Sequence, residues 1–92
     1  MIVRISTEDQ YRLPDADAER LNDLDNAAVA AVEADDEDRF HEVFEEMLSI
    51  VRTDGHKLGE DELEESDVIL PPPDLSFSEA HHEFSGEGLI PD

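Results

Sequence analysis

The chain has 92 residues, enough for one domain with a thin core, because a chain of this size buries only about 60–65% of its unfolded surface. Four Phe, one Tyr, no Trp and no Cys exclude a disulfide framework, a thiolate nucleophile and cysteine-ligated zinc or iron–sulfur sites, and argue against a deep aromatic pocket for a cofactor. Asp and Glu number 27 against six Lys and Arg, a net charge of −21, which excludes the basic patch that nucleic acid or anionic lipid requires.

Five of the six cations are Arg, and only Lys57 is a lysine. So many like charges repel by an appreciable fraction of a typical stability of roughly 5–15 kcal/mol. In molar salt the Debye length falls to about 3 Å, so the repulsion fades while the surface stays hydrated. The charge therefore reads as adaptation to a salty interior. The rival reading is an acidic surface that mimics nucleic acid and occupies the basic site of a DNA-binding protein. Met1 leads directly into Ile2-Val3-Arg4-Ile5 without a basic region, a long apolar stretch or a small-residue cleavage site. The expectation is a cytoplasmic protein with neither signal peptide nor membrane span.

Along the chain, Ile2, Val3 and Ile5 and then Tyr11 and Leu13 predict two short strands, joined through the polar Ser6–Gln10 as a hairpin. Pro14 ends the second strand. From about Asp17 to Ala34, Leu21, Leu24, Ala28, Ala31 and Val32 recur at helical spacing. Asp35-Asp36-Glu37-Asp38 interrupts that helix and supplies caps for the next. Phe40, Val43, Phe44, Met47, Leu48 and Val51 then form the best helical stripe in the chain, with Gly55 placed to end it. A turn this short makes the two helices antiparallel.

Past Gly55, the acidic run from Glu60 to Asp67 reads as a solvated loop. Val68-Ile69-Leu70 reads as a buried extended segment, stiffened by Pro71-Pro72-Pro73 in polyproline geometry. Ser76 and Glu79 form a capping box for a short third helix with Phe77, Ala80, His81 and Phe84 on one face. Leu89-Ile90-Pro91 follows as an apolar tail. The fold class is α+β: an N-terminal β-hairpin plus an antiparallel helical hairpin and a short third helix, in a single domain over residues 1–92.

His41 and Glu45 stand at i, i+4, and His81 and His82 are adjacent, but no pair of His at i, i+4 with a third ligand occurs. Adjacent residues point about 100° apart on a helix, so no metal is assigned. Gly86-Glu87-Gly88 lacks the rest of any phosphate-binding fingerprint. A catalytic carboxylate needs a sheltered pocket to raise its pKa, and this chain has little material for one. No catalytic residue and no cofactor are assigned, and the expectation is a non-enzymatic protein. Residues 53–92 hold one cation, Lys57, against 12 carboxylates, so neither nucleic acid nor membrane is a direct ligand.

Several segments bear on family. Met1-Ile2-Val3-Arg4-Ile5, Gln10-Tyr11, Leu21-Asn22-Asp23-Leu24-Asp25, Ala31-Val32-Glu33-Ala34, Ser66-Asp67-Val68-Ile69-Leu70-Pro71-Pro72 and Glu87-Gly88-Leu89-Ile90-Pro91 together resemble the PspAA family, proteins associated with phage shock protein A. The Ser-Asp-x-x-Leu-Pro-Pro segment and the closing Gly-Leu-Ile-Pro are the most specific pieces. Pro73, the His81-His82 pair and the extra acid depart from the pattern. The resemblance implies a non-enzymatic component of the membrane-stress response. Its partner would be a PspA-like coiled-coil protein that recruits it to the inner face of the cell membrane. The family carries no catalytic motif to transfer.

Two apolar segments lie outside any amphipathic helix, and each either covers the core or docks the partner. The candidate docking residues are Ile2, Val3 and Ile5 on an open hairpin edge, Val68, Ile69, Leu70, Pro71 and Pro72, and Leu89 and Ile90. The charge gives a direct expectation. Thermal unfolding followed by circular dichroism should show a higher melting temperature in molar KCl than at about 50 mM; a melting temperature indifferent to salt would sink the reading of a salt-adapted chain.

Overall fold

A computed structural model describes residues 1–84 together with Gly88 and Leu89. The elements run β1 (Ile2–Ile5), β2 (Gln10–Arg12), α1 (Asp15–Glu33), α2 (Glu37–Asp54), β3 (His56–Lys57), β4 (Val68–Leu70) and α3 (Phe77–Glu83), with a 3₁₀ turn at Glu60–Glu62. The fold is α+β, and the strands form one mixed sheet in the order β3-β2-β1-β4.

The hairpin pairs Val3 with Tyr11 and Arg4 with Gln10. Alternation along β1 sends Val3 and Ile5 into the core, both wholly buried, and turns Arg4 to the other face. β4 adds parallel to β1, Val3 against Val68, Arg4 against Ile69 and Ile5 against Leu70. This corrects the expected open edge at Ile2, Val3 and Ile5: β1 is an interior strand, bounded by β2 and β4. A parallel partner cannot arrive through a tight turn, so it must come from a distant part of the chain, and local pattern does not show it.

Pro14, extended at ψ 155°, precedes the first turn of α1. The helix starts there because proline fixes φ and its missing amide is one the helix would leave unpaired anyway. α1 buries Leu21, Ala28, Val29, Ala31 and Val32. A three-residue link, Ala34 to Asp36, follows, in which Asp35 adopts a left-handed φ of 58°. Asp36 then caps α2, its Oδ1 accepting the Arg39 amide at 3.1 Å. Every position of the α2 stripe is buried, Ile50 with them. Gly55 is required by close approach, since a Cβ there would lie 2.3 Å from Val51 O. Where the hairpin's ends meet, Asp17 faces Asp54. Desolvation, then hydrogen bonding and repulsion from Asp54, raise the Asp17 carboxyl above its ordinary value, and Arg20 opposes them. A raised folded-state pKa makes this pair favour folding at acidic pH, and that contribution is lost as pH rises.

The acidic run is not a free loop. It crosses the sheet face opposite the helices, from β3 to β4, and buried Gln10 holds it there. Gln10 Nε2 donates to Glu64 O and to Ser66 Oγ, both at 2.6 Å, while Gln10 Oε1 accepts the Glu64 amide at 3.2 Å. Both donors of the Gln10 amide group and its carbonyl oxygen are thereby engaged, which is what permits its burial. Asp67 closes the crossing: its Oδ2 accepts the Ile2 amide and its own amide donates to Ile2 O, both at 2.8 Å. The carboxylates between remain exposed.

After β4 the Leu75 amide donates to Pro72 O at 3.0 Å, so the triproline turns back at once instead of continuing as an extended rod. The capping box forms as expected, with Ser76 Oγ accepting the Glu79 amide at 3.2 Å and Glu79 Oε1 accepting the Ser76 amide at 3.3 Å. α3 brings Phe84 against α2, its ring 5.2 Å from Phe40 and 6.0 Å from Phe44, both edge-on. Leu89 packs against the core, and its amide donates to both oxygens of the wholly buried Asp25 at 3.0 Å. Gly88, at φ 82°, passes so close that a Cβ would stand 2.6 Å from Asp25 Oδ2.

Phe44 touches both other rings of this cluster and is almost wholly buried. Phe44→Ala should cost about 3–5 kcal/mol in urea unfolding at fixed salt; a loss under about 1 kcal/mol would mean that the stripe is not core.

Candidate partner-docking edge

Ten residues carry the sequence-based docking assignment, and the fold separates them. Val3, Ile5, Val68 and Leu70 lie in the core, Ile2 and Pro71 are buried, and Pro72 and Leu89 are half-buried. The side chains of Val3, Ile5, Val68 and Leu70 are spent on the core itself. Ile90 lies outside the described residues. Ile69 alone points outward, 58% exposed. The sense of a strand explains it: with Val68 and Leu70 turned inward, the residue between them must turn out.

Around Ile69 the structure places a side chain that sequence reasoning did not select. Arg4 is its register partner on β1, so the two share the sheet face away from the helices. The other five cations each contact a carboxylate: Arg12 with Glu64, Arg20 with Glu46, Arg39 with Glu42, Arg52 with Glu8 and Lys57 with Asp9. Arg4 contacts none among the described residues. Its half-burial between Val3 and Ile5 was legible as period-two alternation, but its lack of a counter-charge was not. Leu63, in the acidic crossing, is the other large apolar side chain left exposed among the described residues, at 55%.

Elsewhere the surface offers less chemistry. A groove of about 420 Å³ beside the last turns of α2 is lined by Glu45, Leu48, Ser49, Arg52, Thr53 and Pro73, and the Arg52 guanidinium there is already held by Glu8. His41 meets Glu37 at 3.9 Å. His81 is exposed instead of lying on the apolar face, its ring edge-on to Phe77 at 4.8 Å and its Nε2 3.5 Å from Asp35. Among the described residues no three His or carboxylate side chains converge to hold a metal. No described helix is long and apolar enough to cross a membrane.

The fold and this edge define a small α+β domain, a helical hairpin laid on a four-stranded mixed sheet in which no described strand lies outside β4. The chain belongs to the PspAA family: the family model described as PspA-associated protein matches residues 1–92. No curated protein and no solved structure matches it.

The division between Ile69 and its neighbours can be measured. Ile69→Ala should change stability by no more than about 0.5 kcal/mol, whereas Leu70→Ala should cost about 2–5 kcal/mol. Equal losses in urea unfolding would return Ile69 to the core.

Proposed function

We propose that this protein is a non-enzymatic adaptor or modulator of a PspA-type membrane-stress protein, working in the cytoplasm of a halophilic cell and reaching the membrane only through that partner. Family membership over residues 1–92, under a name that states association with PspA, carries the reading. The surface agrees with it. An apolar residue stands exposed on a strand edge that no other described strand covers, the feature by which small domains take up a partner's backbone. The net charge of −21 argues against direct contact with anionic lipid. In molar salt the same charge keeps the protein soluble without preventing short-range contact.

The experiment is capture from native extract in molar KCl, with the partner identified by mass spectrometry. A membrane-associated coiled-coil protein of PspA type should be retained, and added DNA should not release it. Recovery of a basic DNA-binding protein that DNA displaces would replace the adaptor with a nucleic-acid mimic.

A further inference from the structure

The Ser6 amide donates to Leu70 O at 2.9 Å, so Leu70 turns its carbonyl toward β1. Backbone groups alternate sides along a strand, and Ile69 therefore directs its own amide and carbonyl to the far side of β4, where no strand lies among the described residues. Such an edge is a template for one more strand. Pro71 follows immediately and has no amide to donate, which limits the template to a short segment centred on Ile69.

We infer that the free edge of β4 takes up a short extended segment of the PspA-type partner, held by the Ile69 amide and carbonyl, with an apolar side chain against Ile69 and a carboxylate reaching Arg4. This rests on the adaptor reading and adds the surface and chemistry of the contact. Charge selects the occupant. A basic segment would find carboxylates over most of this surface and gain no preference for β4. A segment bearing a carboxylate is repelled elsewhere and meets beside Ile69 the one cation that has no counter-charge among the described residues, so attraction and rejection both favour this position. A strand added outside β4 stands roughly 10 Å from β1, two strand spacings, a gap that an Arg and a Glu side chain span together.

The test is titration calorimetry of the full chain with the recombinant full-length PspA-type protein of the same cell, in molar KCl. Ile69→Pro removes the outward amide and leaves the β1 ladder intact. Ile69→Asp keeps the backbone and sets like charge against the incoming carboxylate, so it serves if the proline variant misfolds. Both should lose at least about tenfold in affinity with the melting temperature unchanged, and Arg4→Gln should lose about two- to fivefold. Wild-type affinity in folded Ile69 variants overturns this contact and leaves the adaptor reading standing; no binding by the wild type overturns both. A wild-type dimer in sedimentation that the Ile69 variants dissociate would assign the edge to a second copy and overturn the proposal as well.

Discussion

The parallel pairing of β1 with β4 is the contact on which the rest of the molecule depends. It joins Val3, Arg4 and Ile5 to Val68, Ile69 and Leu70, and the chain between must leave the sheet on one side and return on the other. The helical hairpin occupies the first part of that excursion and covers one face. The acidic crossing makes the return journey over the opposite face. Because β1 is then covered on both edges and both faces, its apolar residues are wholly committed to stability. Whatever surface remains for other purposes has been moved outward by one strand.

The return journey poses a problem of charge. A run of carboxylates laid over a sheet repels itself, and no side chain in it can be buried without a counter-charge. The fold meets this with a neutral group. Gln10 binds the backbone of Glu64 and the hydroxyl of Ser66, so the crossing is fastened while its carboxylates stay in water. Arg12 adds an ion pair with Glu64 at an exposed position, where such pairs contribute about 0–1 kcal/mol and less in salt. Hydrogen bonds to the main chain do not depend on ionic strength in that way, and they are the ones used where the chain is buried. Asp25 also binds main chain, here with a carboxyl group in place of a neutral one. A buried carboxylate accepts the Leu89 amide and stands against Gly88, tying the Gly-Leu end of the chain to α1.

Much of this fold was legible from residue order, and the reason is locality. The α2 stripe, the Asp36 cap, the Ser76–Glu79 box and the hairpin all rest on interactions within a few residues, which periodicity and capping chemistry report directly. β3 escaped notice because two residues, His56 and Lys57, carry no pattern at all. The side chains of the acidic run are solvated, as its composition implies, but its anchorage escaped notice because it lies in backbone groups that every residue possesses. Asp25 was hidden within a helical stripe whose other members are apolar.

The sequence by itself determined the helical hairpin, the α+β class, the family and the charge, since each follows from composition, local spacing or ordered motifs. Only the tertiary structure decided which apolar residues are available to a partner. Val68, Ile69 and Leu70 are indistinguishable in composition, and their fates diverge because a strand paired on one edge buries alternate side chains and leaves the middle one outside. Likewise Arg4 is one arginine among five until the packing brings carboxylates to all the others and, among the described residues, none to it. Exposure and the absence of a counter-charge are relations between distant residues, and a linear order of side chains does not contain them.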